Sequence, residues 1–235
     1  MKPFISWMHV GRDRRMSDDR SRPIEKRPRE IKRKFYVIDF NYRGGPPAMV
    51  LENRHVLAPD TGVLDPFPRR GFPNYPEPPR FVFGGTRDRA PRDLEMYHHY
   101  WLVSDRTKAV FESVDLAGFA FVACDIRLAK GQYEGPGYWL CDVVRVLDAV
   151  DESQSRLLVG IRDDPNYRDF DKKYYSVVIK GGARLVFRDE VIASAHVFRM
   201  AYMEATVICD DVLKNACKEA GLAGIGFRDV LKLPI

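Results

Sequence analysis

The sequence predicts an α+β fold: a mixed, largely antiparallel sheet with two short helices in a repeated strand-helix-strand unit. Three observations predict it. Short segments rich in aromatic and β-branched residues outnumber helical patterns, and they do not alternate with helices as a doubly wound sheet requires. Helical periodicity is confined to two short stretches. Those stretches align with each other without a gap, residues 101–121 against 207–227: Asp105 falls on Asp211, Lys108 on Lys214, Leu116-Ala117-Gly118 on Leu222-Ala223-Gly224, and Phe121 on Phe227.

Each copy reads as strand, cap, helix, glycine turn, strand. Ser104 and Asp210 are good N-cap residues, because their side-chain oxygens accept from unpaired N–H groups of the first turn. Asp105 and Asp211 follow, where negative charge suits the helix dipole. Neither copy has the Glu or Gln of a capping box. Val212, Leu213, Ala216, Cys217 and Ala220 are predicted to share the apolar face of the second helix, and Val110 and Val114 that of the first. Gly221 stands where a left-handed C-cap is expected. Asp115 replaces it in the first copy, so that helix end is predicted to be less sharply defined.

Around this unit, Phe35–Phe40 reads as the first strand. Residues 46–91 hold ten of the sixteen prolines, a density that argues against helix and central strand. The expectation is a meander packed on the body by Phe67, Phe72 and Tyr75; a polyproline ligand for a partner is the other reading. The segments 138–148, 156–161, 173–180, 184–187 and 195–200 read as strands, with Gly181-Gly182 as a hairpin turn. The chain therefore divides into a basic leader (1–34) and a single domain (35–235), itself made of a proline-rich part (35–96) and an α+β body (97–235).

The formal charge of +5 suggests nucleic acid until its location is examined. Residues 1–34 hold 12 Lys/Arg against 5 Asp/Glu, a net of +7, whereas the rest holds 26 against 28, a net of −2. The body is slightly acidic, which weakens the electrostatic case for a nucleic-acid partner. The leader is poor in large apolar residues and rich in charge, so we expect it to be disordered. It lacks the apolar core of a secretory signal. No apolar run is long enough to span a membrane. Cys124, Cys141, Cys209 and Cys217 form no C-x-x-C pair, so they read as free thiols of a reducing, cytoplasmic compartment and not as a zinc site.

Local chemistry is sparse. His98 and His99 stand before a strand, where neighbouring side chains point to opposite faces and do not share a metal. His196 lies near Ser194 and Asp189, but no serine occupies a nucleophile elbow, and hydrogen bonding of a lone histidine is the simpler reading. No glycine pair makes a dinucleotide or phosphate loop. No catalytic, cofactor-binding or metal-ligating residue is assigned. The acidic, aromatic loop with Asp163, Asp164, Tyr167, Asp169, Phe170 and Asp171 is the candidate recognition surface, and a solvated loop without a partner is the other reading. Tyr167 and Phe170 would be its anchors and the aspartates its steering charges, because tyrosine provides contact area at low entropic cost. Tyr174 and Tyr175 lie beyond it.

Together, Tyr100–Asp105, the run 138–151, His196–Met200, Val207–Asp211 and the Ala220–Asp229 segment resemble the immunity proteins of bacterial polymorphic toxin systems, a family typified by a myxobacterial immunity protein. The likeness is fullest over 97–229, weaker over 35–96, and does not include the leader. The shared motifs are scaffold motifs, strand, cap, helix and Ala-Gly-Leu-x-Gly-x-x-Phe, and members often carry Ser where this chain has Asp210. The resemblance implies a cytoplasmic protein without enzymatic activity or cofactor that binds and occludes one cognate toxin, usually encoded beside it. Two other classes compete with it. One is an enzyme built on His98, His196 or the acidic loop, which requires a pocket around convergent polar groups. The other is a nucleic-acid-associated protein acting through the leader.

Overall fold

The computed structural model describes residues 33–41, 48–66, 69–84, 91–162 and 173–233. These contain β1 (Phe35–Phe40), β2 (Met49–Leu51), α1 (Arg54–Leu57), β3 (Arg80–Phe83), β4 (Leu94–Tyr97), β5 (Tyr100–Ser104), α2 (Asp105–Asp115), β6 (Phe119–Leu128) and β7 (Tyr138–Val143). They continue with β8 (Val146–Leu147), β9 (Leu158–Ile161), β10 (Lys173–Ser176), α3 (Asp189–Ile192), β11 (Val197–Met200), β12 (Met203–Asp210), α4 (Asp211–Glu219) and β13 (Ile225–Asp229). The fold is α+β, as predicted. Its strands are divided between a six-stranded sheet (β2-β3-β6-β7-β5-β4), a five-stranded sheet (β13-β1-β12-β11-β8) and the ladder β9–β10. Among these strands, β3–β6 and β8–β11 pair in parallel and the other ladders are antiparallel.

The repeat survives in register, not only in sequence. In the first copy β5 and β6 flank β7, with Ser104 opposite Tyr138 and Phe119 opposite Val143. In the second, β12 and β13 flank β1, with Asp210 opposite Phe35 and Ile225 opposite Phe40. The middle strand follows the unit in one copy and precedes it in the other. The caps are equivalent too: Ser104 accepts from the Thr107 N–H and Asp210 from the Leu213 N–H. The first helical aspartate then accepts from the residue before the middle strand, Asp105 from the Gly137 N–H at 2.8 Å and Asp211 from the Lys34 N–H at 3.2 Å. Even the lysine one turn on repeats its contact. Lys108 lies 4.7 Å from the Trp139 ring centre and Lys214 4.1 Å from that of Tyr36, residues at matching positions of the two middle strands.

The helix ends differ as their sequences predict. Gly221, at φ 63°, closes α4 with its N–H bonded to Lys218 O and the Leu222 N–H bonded to Cys217 O, a Schellman pair. The α2 end instead runs into a 3-10 turn, Leu116–Gly118. There Asp115 accepts a forked pair from Arg145 at 2.5 and 3.0 Å and the His196 N–H at 2.8 Å. The buried residues of α4 are Leu213 and Cys217; Val212, assigned to that face, is 48% exposed, because it stands one position off the stripe that meets the sheets. In α2 Thr107 and Phe111 are buried, and Val110 and Val114 pack at the margin.

Period-two alternation sorts the strands' side chains between three apolar clusters. Ile38, Trp101, Val103, Phe119, Cys141, Val143, Val197, Val207 and Cys209 join both large sheets to α2 and α4. Phe35, Val37, Phe198 and Ile208, on the other face of the five-stranded sheet, meet Tyr175, Leu185 and Ile192. Tyr100, Leu102, Tyr138 and Leu140, on the other face of the six-stranded sheet, meet Leu51, Phe81 and Phe83, with Phe72 and Tyr75 packed beside them. The predicted role of Phe72 and Tyr75 holds; Phe67 lies outside the described residues. Between them and the sheets lies a charged knot. Asp142, fully buried, accepts from Arg70, from Arg199 at 3.1 Å and from the Gly71 N–H at 2.7 Å.

Several sequence expectations are corrected. The proline-dense residues 46–91 include a one-turn helix and two strands, and β3 has neighbours on both sides. The prolines cluster so as to leave 48–58 and 80–90 free of them, and the elements form in those windows. The predicted 184–187 strand provides isolated bridges, Arg156 to Arg184 and Val150 to Phe187. Gly181 and Gly182 do turn, both at positive φ, but Arg184 pairs with Arg156, so no hairpin closes around them. The run 138–148 breaks between β7 and β8. The four cysteines, by contrast, are free thiols as expected.

Two outcomes follow from these charges. Asp142→Ala leaves Arg199 buried beside Arg70 with no carboxylate between them, and should cost about 3–5 kcal/mol. An unchanged thermal midpoint would show that the knot contributes no stability. Asp115 is held below its ordinary carboxylate value of 3.8: burial pushes it up, but the Arg145 pair and the N–H groups of His196 and Val197 more than offset that. A depressed folded-state pKa gives stability that is present above 3.8 and is lost as pH falls through the lower folded value. Urea denaturation should therefore find Asp115→Asn less stable than the parent at neutral pH, with the difference closing in acid.

Candidate partner-binding surface

The histidines do not converge. His98 and His99 form the two-residue turn between β4 and β5, directly before the strand β5 as expected; both are exposed, and His98 sits at φ 50° against the Tyr97 ring. His196 precedes β11 and its Nδ1 lies 2.7 Å from Asp210, the α4 cap, with the Arg33 guanidinium bonded to the same oxygen at 2.9 Å. Asp210, not Asp189, is thus its carboxylate, and Arg33 closes over the pair by bonding Ala193 O and Ala195 O as well. Among the described residues no group of three or more His, Cys, Asp or Glu could hold a metal ion. An open groove of about 550 Å³ runs between Pro73–Pro78 and Phe121–Ala123. Prolines, Tyr75 and apolar side chains line it, and its carboxylate, Glu77, is bonded to Asn53 at 2.7 Å. Neither arrangement supplies a nucleophile and a base within reach of each other.

The β9–β10 ladder is a different kind of feature. It projects from the apolar cluster of the five-stranded sheet, and the acidic, aromatic segment joins its two strands. Asp163, Asp164, Tyr167, Asp169, Phe170 and Asp171 all lie outside the described residues; Ile161 and Lys173, a cross-strand pair, bracket them. The ladder's base is firmly built. Tyr175 is 4% exposed, packs edge-on against Tyr202 at 5.4 Å, and donates its hydroxyl to Glu152 at 2.6 Å. Burial, and then the bond to Glu152, push the Tyr175 phenol up to about 12. Lys173 bonds the same Glu152 oxygen and lies over both tyrosine rings. That lysine, and then the Tyr175 hydroxyl, hold the Glu152 carboxyl below its usual range. Tyr174 lies under the Arg162 guanidinium at 5.1 Å.

Above this base the ladder is apolar and open. Leu158, Val159 and Ile161 are 52%, 44% and 77% exposed, and Val178 just beyond β10 is 78% exposed. Sequence reasoning read 156–161 as a strand but did not mark it as a surface. Its apolar run resembles a buried strand, and only the sheet order shows that β9 has a single neighbour among the described strands. No helix among the described residues is long and apolar enough to cross a membrane.

The described residues thus pair the buried carboxylates Asp142, Glu95 and Asp210 with arginine and leave an apolar ladder exposed on the surface. The sequence comparison is specific. The model of an immunity protein family, Imm11, matches residues 34–232, and the chain belongs to that family. The match takes in the proline-rich part as well as the body. No curated protein matches the sequence.

If the Glu152–Tyr175 bond anchors the ladder, Tyr175→Phe should cost about 1 kcal/mol, the ordinary net worth of a hydrogen bond. Hydrogen exchange should then quicken in Leu158–Ile161 and Lys173–Ser176 while β7 and β12 keep their protection. Uniform quickening would place the effect in the global fold instead.

Proposed function

We propose that this chain neutralises a cognate bacterial toxin by binding it and covering its active site or substrate path, with no chemistry of its own. The observation that carries this reading is the family match over residues 34–232. The toxin is encoded by a neighbouring gene, and the complex forms in the cytoplasm. The segment between β9 and β10 contributes contacts, with Tyr167 and Phe170 as apolar anchors and Asp163, Asp164, Asp169 and Asp171 as steering charges. A toxin acting on nucleic acid or nucleotides has a basic cleft, and a negative partner surface raises the association rate and excludes wrong partners. Anchors hold more of the binding energy than peripheral charges do.

The test is protection of cells expressing the toxin domain of the neighbouring gene. Tyr167→Ala should mainly raise the dissociation rate. Neutralising the four aspartates should slow association and flatten its dependence on salt. A variant with Asp163, Asp164, Tyr167, Asp169 and Asp171 all changed to Ala should fail to protect; if it folds and protects like the parent, the segment is not the contact. Failure of the parent itself to bind or protect against that toxin would defeat the functional reading.

A further inference from the structure

The hydrogen-bond parity of the β9–β10 ladder fixes which way each main-chain group points. In an antiparallel ladder, facing residues either bond each other or both point their N–H and C=O outward, and the two types alternate. Tyr175 faces Val159, yet its N–H bonds Tyr202 O at 3.0 Å, on the side away from β9. Tyr175 and Val159 are therefore an outward pair. Two residues along, Lys173 and Ile161 are another. On the β10 side the body meets the outward groups through Tyr202. Beside β9, Arg184 bonds Arg156 in both directions two residues before Leu158, and no described strand pairs the outer edge of β9 itself. Val159 and Ile161 consequently present two N–H and two C=O groups along an edge that no described strand pairs.

Among the described residues, this edge has none of the usual defences. Natural edge strands are blunted by Lys, Pro, bulges or an overlying element. The edge strand β4, for comparison, is hooked by the Leu94 N–H to Ala223 O, with Gly224 packed so close that a β-carbon there would lie 2.3 Å from Leu94 O. The residues of β9 are Leu-Val-Gly-Ile, without charge or proline, and their side chains are exposed on both faces. A row of alternating donors and acceptors at strand spacing is satisfied by one kind of occupant, another extended chain. Val159 and Ile161 share a face, so that chain needs apolar residues at alternate positions opposite them.

We infer that the outer edge of β9 receives an extended strand of the toxin, which adds to the β10–β9 ladder as a third strand. This rests on the proposed immunity function and deepens it. The edge continues directly into the segment already assigned to toxin contact, so strand addition would deliver the toxin to both.

The parity supplies a selective test. The Val159 N–H points outward, so Val159→Pro removes a donor for the incoming strand while sparing the bonds to β10. Titrating the full chain with the purified toxin domain of the neighbouring gene should show affinity falling at least about tenfold in Val159→Pro, the worth of a lost hydrogen bond and its flanking pair. Val159→Lys, which keeps the N–H but puts a charge on the edge, should fall similarly and serves if the proline variant misfolds. In the parent, the Val159 and Ile161 amides should exchange quickly in the free chain and slowly in the complex. Parent-like affinity in the folded variants, with both amides still fast in the complex, overturns the edge assignment and leaves the immunity function standing. Slow exchange in the free chain, with a dimer that Val159→Pro dissolves, overturns it in favour of a second copy as occupant. Absence of binding by the parent overturns both readings.

Discussion

Asp142 is the group on which the assembly of this fold depends. It sits fully buried on β7, and its partners come from two other parts of the chain: Arg70 and the Gly71 N–H from the proline-rich segment, Arg199 from β11 of the other sheet. Arg199 in turn donates to Val143 O at 2.9 Å and Glu204 O at 2.7 Å, so its guanidinium is bonded on several sides. Burial, and then the Arg70 charge, press the Arg199 pKa below its ordinary value. One carboxylate shared by two guanidiniums is costly to bury, and it is tolerated only with this full set of bonds. That requirement makes the site specific. The two sheets and the covering segment must be correctly placed together, or a charge is left without a partner in the interior.

The same position reveals how the two copies of the repeat have diverged. By register, Asp142 on β7 corresponds to Asp39 on β1. Asp39 stays near the surface and meets Arg228 at 3.0 Å. The cap, the first helical aspartate and the lysine over the aromatic ring are the same in both copies. The cap is a contact within the unit and the other two join the unit to its middle strand, so any sheet built on it needs them. What differs is the outer face: one middle strand is covered by the proline-rich segment and the other by the β9–β10 side of the molecule.

Contacts within the unit are what the sequence made legible. Ser104, Asp210 and Gly221 announced their roles because capping depends on neighbours three or four residues away. The first strand was readable to its ends for a similar reason, since Phe35–Phe40 alternates between two cores. The strand β4 was missed because Glu95 and Met96 spoil its pattern; Glu95 is buried there only because Arg92 pairs with it at 2.9 Å. Asp142 looked like any strand aspartate, since Arg70 and Arg199 lie 72 and 57 residues away. His196 was read as a satisfied histidine, but its partner could not be named, because Asp210 reaches it through sheet pairing. The acidic segment was legible as composition, and its six named residues lie outside the described structure, whereas the open edge beside it was invisible to composition altogether.

The contrast between interior and ladder argues for where contact falls. Buried polar groups in native proteins are nearly always paired. Here Asp142, Glu95 and Asp210 are each fully or almost fully buried and each bonded to arginine. A molecule that satisfies its costly interior charges leaves Val159 and Ile161 with outward main-chain groups on an apolar strand. Water can solvate those groups, so the free protein loses little by leaving them open. An extended partner strand would pair them and bury Val159 and Ile161 in the same step. Because Tyr175 and Glu152 give the ladder a firm base, a partner strand would meet it already ordered, which would lower the entropic cost of binding.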